Sequence, residues 1–228
     1  MYLSDIHTHS IASGHGTSCT ISDMAKAASK KGLKLLGITD HGPGTLAAGT
    51  SSYFRSLTYA PKKRFGIELL FGAELNILDT EGHLDLNDEL LSELDYAIAS
   101  MHAQNYKSGT VEENTSAYLN AMRHPCVKVL GHCDNPAFPV DYETLAFGAK
   151  EYGVIFEINE ASLMPDGYRG DTRANNKEIL RCCRKLEIPI VLSSDSHGAE
   201  HVGEFTYGAE FVHEMMFPER LILNNDIP

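Results

Sequence analysis

Short apolar runs alternate with longer amphipathic stretches along nearly the whole 228-residue chain. Leu33 to Thr39, Ile67 to Gly72, Tyr96 to Ser100, Val127 to Leu130, Val154 to Ile158 and Ile190 to Leu192 are apolar runs of strand length. Runs of that kind suit strands buried on both faces. Between them, apolar residues recur at helical spacing. Thr20-Ile21-Ser22-Asp23 forms a capping box that opens a helix through about Lys31, and Gly32 stops it. Further helices are predicted over 51–64, near 86–94, over 111–123, 142–151 and 175–186, and from about Tyr207, before a short apolar segment at Leu221-Ile222-Leu223. With the opening residues read as one more strand, the pattern makes seven strand–helix units of about thirty residues each. Strands alternating with helices imply an α/β fold with a parallel sheet. Seven units in this length suggest a closed or nearly closed β/α barrel, with an open doubly wound sheet as the alternative. No linker, low-complexity segment or charge block divides the chain, so residues 1–228 read as a single domain.

Composition narrows the function classes. Hydrophobic residues make up 43% and charged residues 22%, as expected of a soluble globular protein. A formal net charge of −12 argues against an extensive nucleic-acid surface, which needs a broad basic patch. No apolar run approaches a membrane span, and Met1 leads straight into a strand rather than a signal peptide. Five irregularly spaced cysteines suit reduced thiols in a cytoplasmic protein.

The eleven histidines change the picture. In the opening Asp5-Ile6-His7-Thr8-His9, period two turns Asp5, His7 and His9 toward one face, where two imidazoles can hold a metal ion. His41, Glu74, His102, His132, Asp195 and His197 each follow an apolar run, at the carboxyl end of a predicted strand, and His15 sits in the first loop. That is the end where barrel enzymes build their active sites. Nine candidate ligands exceed the four or so that one zinc ion needs and suffice for three ions if a carboxylate bridges. Of the other histidines, His124 and His213 read as helix ends or surfaces, while His83 and His201 could border the site.

Asp5-x-His7-x-His9, His15, Thr39-Asp40-His41, Gly72-x-Glu74, His102, Gly131-His132 and Ser194-Asp195-x-His197 together resemble the PHP (polymerase and histidinol phosphatase) metallohydrolases. The resemblance runs in order over nearly the whole chain and is greatest to the compact YcdX-type phosphatases. It implies a distorted (β/α)7 barrel with a trinuclear, usually zinc, centre at the carboxyl ends of the strands. It further implies that His7, His9, Glu74 and Asp195 hold one metal. Glu74 then bridges to a second held by His102 and His132, with His15, His41 and His197 on the third.

The expected chemistry follows from charge. Three divalent ions against two carboxylates leave roughly four positive charges, which attract phosphate and activate water as hydroxide for attack on phosphorus. The expected function is therefore a metal-dependent phosphoesterase acting on small phosphate monoesters. Zinc is the expected metal, with manganese or iron(II) as alternatives, because imidazole-rich ligation disfavours magnesium. Asp195 is expected to serve catalysis as well as ligation, and Asp40 to stand behind the ligands or relay protons. Arg169, flanked by Gly167 and Gly170 in the long loop after the sixth strand, is expected to grip phosphate, with Arg173 as the alternative. Competing readings are a PHP-type nuclease or nucleotide phosphatase, a histidinol-phosphate phosphatase, and a metal-buffering or regulatory protein without turnover.

Overall fold

The computed structural model describes residues 2–225. Strand β1 (Ser4–Asp5) is short and leads into the segment bearing His7 and His9. Helix α1 (Ile21–Lys30) starts with the expected capping box: the Thr20 hydroxyl accepts from the Asp23 N–H, and the Asp23 carboxylate accepts from the Thr20 N–H. Strand β2 (Leu35–Ile38) is buried throughout. Helix α2 (Ser51–Leu57) is half the length that the 51–64 pattern suggests, because the chain turns at Thr58 to Ala60 and meets Pro61. Residues Lys63–Arg64 instead form β3, antiparallel to β4 (Ile67–Phe71). Phe65 and Gly66, with φ of 49° and 80°, make the tight two-residue hairpin between them.

Strand β5 (Ala73–Asn76) carries Glu74 within it, not beyond its end as the sequence suggests. Helix α3 (Asp88–Leu91) is a single turn where a longer helix is expected. The remaining units match the pattern closely: β6 (Ala97–Ser100), α4 (Val111–Ala121), β7 (Val127–Leu130), α5 (Tyr142–Tyr152) and β8 (Ile155–Asn159). The long loop after β8 holds a short helix, α6 (Glu160–Leu163), and ends earlier than expected, so Arg173 is the first residue of α7 (Arg173–Leu186). Strand β9 (Ile190–Ser193) and α8 (Thr206–Glu214) follow.

The strands form two sheets, ordered β1-β2-β4-β3 and β5-β6-β7-β8-β9, parallel except for β3. Two seams join them into a distorted ring. At the first, β4 and β5 are one strand bent at Gly72: its first half pairs with β2, its second with β6. A side chain at Gly72 would put Cβ 2.6 Å from the Tyr96 carbonyl oxygen, so the bend requires glycine. At the second seam, Thr8 and Ser196 form a parallel bridge, with the His9 N–H donating to the Ser196 carbonyl at 2.8 Å. Below that bridge the Asn224 side chain stands between β1 and β9, donating to the carbonyls of Ser4 (3.0 Å) and Leu192 (2.7 Å).

Alternation along the strands separates two apolar compartments. Ala97 and Ala99 belong to the large core that also holds Met24, Phe54 and Phe156. Ile98, between them, belongs to a small cluster with Tyr96, Val129 and Val191. The small cluster therefore fills the inside of the ring. Glu74, the register partner of Ile98, projects to that same inner face. Among the described residues, no helix is long and apolar enough to cross a membrane.

Candidate metal centre

The carboxyl ends of the strands bring all nine candidate residues together. The ring centroids of His7 and His9 are 5.0 Å apart, those of His9 and His197 4.1 Å, and those of His15 and His41 4.9 Å. His132 lies 5.2 Å from His102. Three overlapping groups have donor atoms all within 4.8 Å of one another: His7, His9 and Asp195; His9, His41 and His197; His41, Glu74 and His102. Two of the residues sit on left-handed backbone, His132 at φ 26° and Asp195 at φ 53°. Such conformations cost about 1–3 kcal/mol each and persist where surrounding structure enforces them.

Glu74, fully buried, occupies the middle. Its Oε1 lies 2.7 Å from His132 Nε2 and 3.2 Å from His102 Nε2. Its Oε2 lies 2.6 Å from His41 Nδ1, 3.5 Å from His7 Nε2 and 3.6 Å from His9 Nε2. The two carboxylate oxygens thus face different sets of imidazoles. Burial alone would push this carboxyl up, but His102, His41 and His7 hold it well below the usual carboxylate range.

The hydrogen bonds behind the imidazoles fix their tautomers. His7 Nδ1 donates to Glu157 Oε1 at 2.6 Å, and His102 Nδ1 to Asn76 Oδ1 at 2.7 Å. His197 Nδ1 donates to the Asp195 carbonyl at 3.1 Å, and His9 Nδ1 to Ser13 Oγ at 2.8 Å. The Ser13 hydroxyl is committed in turn to Asp40 Oδ1 at 2.7 Å, so it can only accept from His9. Each of these four rings therefore turns a bare Nε2 inward. Among the described residues, Nε2 of His7, His9 and His197 and Nδ1 of His132 are buried without a hydrogen-bond partner. The inward nitrogens of His7, His9 and His197 are costly to leave so unless something positive lies between them. The donor set fits divalent transition-metal ions.

Protonation follows the same logic. Burial, with His41 and His197 nearby, pushes His9 well below the usual imidazole range, so its inward nitrogen keeps a lone pair. His7 behaves oppositely: burial pulls it down, but Glu157, Asp195 and Glu74 carry it well above.

Asp195 divides its carboxylate. Oδ1 lies 3.2 Å from His9 Nε2 and 3.6 Å from His7 Nε2. Oδ2 accepts from Arg169 Nη2 at 2.8 Å and Asn159 Nδ2 at 3.1 Å. Arg169 is buried, donates from Nη1 to Asn159 Oδ1 and Ser162 Oγ, both at 3.2 Å, and lies under the Tyr168 ring. Arg173 is elsewhere, in an exposed ion pair with Glu214. Asp40 is fully buried behind the cluster, accepting from the Ser10 N–H and hydroxyl, Ser13 and Tyr53. Asp5 accepts from Ser194 and Gly203, tying β1 to the segment after β9 rather than orienting an imidazole.

The cluster floors a cavity of about 830 Å³ whose lining includes His15, His41, His102, His132, His197 and Arg169. A second cavity, about 880 Å³, lies beside it across Tyr168, Asp195 and His197 and includes His201 in its lining. His83 is exposed and paired with Asp79, bordering neither cavity. Glu157, Asn76 and Ser13 are contributors that the sequence reading passed over. A signal for two of them existed: Glu157 alternates with apolar Phe156 and Ile158, and Asn76 follows Leu75, each at an inner-face position near a strand's end.

Known proteins give this arrangement a family. The PHP domain family model matches residues 5–162. A Clostridium novyi protein named as a probable phosphatase is 40% identical over 225 residues, covering 99% of this chain and 91% of its own length. A Thermoanaerobacter protein of the same name is 40% identical over 224 residues, covering 98% of this chain and 90% of its own. The solved histidinol phosphate phosphatase of Lactococcus lactis, complexed with zinc, L-histidinol and phosphate, superposes with a TM-score of 0.61. It is 18% identical and 95% of each chain is covered, a likeness of fold. On the match to more than half its length and the identity across nearly all of it, this chain belongs to the PHP domain family.

Proposed function

We propose that this chain is a metal-dependent phosphoesterase that hydrolyses small phosphate monoesters. His7, His9, His15, His41, Glu74, His102, His132, Asp195 and His197 would hold three divalent ions, with zinc favoured by the imidazole-rich set over manganese or iron(II). The observation that carries the proposal is Glu74, whose two oxygens face separate groups of inward imidazoles from a fully buried position. A carboxylate so placed is suited to bridge two cations. Bound there, the ions would supply positive charge to the phosphate oxygens and lower the pKa of water toward neutrality. In the overall reaction the oxygen of water ends on phosphorus, the bond to the leaving alcohol breaks, and that alcohol takes up a proton.

The chain's own residues hold this geometry. Glu157, Asn76, Ser13 and the Asp195 carbonyl fix four imidazoles in the tautomer that presents Nε2. Asp40 acts through Ser13 on His9 and does not border the cavity, which makes it a positioning residue. Arg169, at the cavity wall, has donors beyond those committed to Asn159, Ser162 and Asp195, and can offer them to a phosphate oxygen. The relatives named as probable phosphatases, and the neighbour crystallised with zinc and phosphate, support the same reading.

Phosphate release from an aryl phosphate tests it. Turnover should be abolished by a chelator and restored by zinc, manganese or iron(II). Fully metal-loaded protein with no turnover on a broad panel of monoesters would favour the metal-buffering reading instead.

A further inference from the structure

The cavity above the candidate centre has two chemically different parts. Its floor holds the imidazoles, Glu74, Asp195 and Arg169. Its remaining lining carries no charged side chain, and no lysine borders it. Met101 and Phe138, 1% and 4% exposed, make a firm apolar wall. Leu46 and Tyr168, 88% and 79% exposed, stand at the mouth. An isolated exposed apolar residue needs no explanation, but these two border the same cavity as Met101 and Phe138. The loops after β2, β6 and β7 and the loop after α6 all contribute, so the character is shared around the opening. Thr45, Gln104, Asn135 and the Tyr168 hydroxyl are the uncharged polar groups among them.

A volume of about 830 Å³ leaves ample room beyond one phosphoryl group. A second phosphate would need a cation of its own, and Arg169, the one permanent cation in the lining, is already paired with Asp195. A sugar or a polyol would leave most of its hydroxyls against apolar surface.

We propose that the substrate is a monoester with a single phosphate and an uncharged, apolar leaving group of aryl-alkyl character, seated against Met101 and Phe138 with Leu46 and Tyr168 closing over it. This rests on the phosphoesterase reading and adds the substrate class to it. Leu46 then determines specificity without touching the reacting atoms.

The test compares 2-phenylethyl phosphate with glycerol 3-phosphate and fructose 1,6-bisphosphate on metal-loaded enzyme. The first two leaving groups are both primary alkyl alcohols, so their chemistry is closely matched. The expected kcat/KM for the phenylethyl ester is about tenfold higher or more, mostly through KM, on the scale of burying a few carbons in an apolar pocket. Leu46→Gln, at an exposed position that the fold does not need, should shrink that ratio about threefold. Calorimetric binding of the non-hydrolysable phenylethyl phosphonate should exceed that of ethyl phosphonate by a similar factor, independently of turnover. Hydrolysis of all three esters with a ratio near one, or in favour of the bisphosphate, overturns the inference and leaves the phosphoesterase standing. No hydrolysis of any ester by fully loaded protein overturns the phosphoesterase reading itself.

Discussion

His7 Nδ1 lies 2.6 Å from Glu157 Oε1, and both side chains are fully shielded from solvent. Glu157 also accepts from the His132 backbone N–H at 2.6 Å, so one carboxylate orients one imidazole and positions the loop bearing another. Glu157→Gln keeps the shape and removes the charge. Outer partners of this kind typically change metal affinity by 10–100-fold, and a loss of about that size is expected here. Equilibrium dialysis should detect it, and excess metal should restore most of the activity. Unaltered metal retention would show that Glu157 is only structural.

The number of ions is a separate matter. Elemental analysis of fully loaded protein should find about three transition-metal ions per chain, given nine donor residues and open positions for water. A plateau near one ion with full activity excludes the trinuclear arrangement.

Glu74→Gln addresses the proposed bridge. The amide fills the same space but brings no negative charge between cations, so activity should fall by orders of magnitude and metal should be lost in pairs. The apo variant should remain folded by circular dichroism. Normal turnover with normal metal content would remove Glu74 from the bridging position.

Arg169→Ala should lower kcat/KM for phosphate esters by about 1.5–3 kcal/mol, the range for a charged hydrogen bond. The sequence alone suggests unchanged metal content, because arginine is not a ligand. The 2.8 Å ion pair with Asp195 revises that expectation: a candidate ligand loses its partner, so metal should be held less tightly as well. Arg173→Ala, removing an exposed pair with Glu214, should leave both quantities unaltered. Wild-type kinetics in both variants would leave phosphate binding to the metals alone.

Much of this architecture was legible because apolar runs and helix caps are local signals. The capping box at Thr20 and Asp23 and the strand Val127–Leu130 appear where the pattern puts them. Most candidate residues were legible for a related reason: His41, His102, His132, Asp195 and His197 stand shortly after, and Glu74 within, strands that the apolar pattern reveals, whereas His7, His9 and His15 were legible from the opening histidine pattern itself. What escaped depends on distant neighbours. The bend at Gly72 is dictated by the Tyr96 carbonyl, which no window around Gly72 contains. Strand β3, Lys63–Arg64, hid at the end of a stretch whose spacing also suits a helix and shows only in its pairing with β4. Glu157 serves His7 from 150 residues away. Arg169 is picked out by its loop, but its ion pair with Asp195, 26 residues on, is not visible in the sequence.

The seam between β1 and β9 bears on the order of events during synthesis. His7 and His9 leave the ribosome early, but Asp195, His197 and the Asn224 side chain that stitches Ser4 to Leu192 come last. At about 5–20 residues per second that gap lasts roughly 10–40 s. Throughout it the first histidines have no ring to sit in, and their nitrogens are open to any ion the surroundings offer. Metal selection therefore falls to the finished protein. A nascent chain stalled before Ile190 would hold every candidate imidazole but that of His197, without Asp195 or the closure that makes the pocket selective.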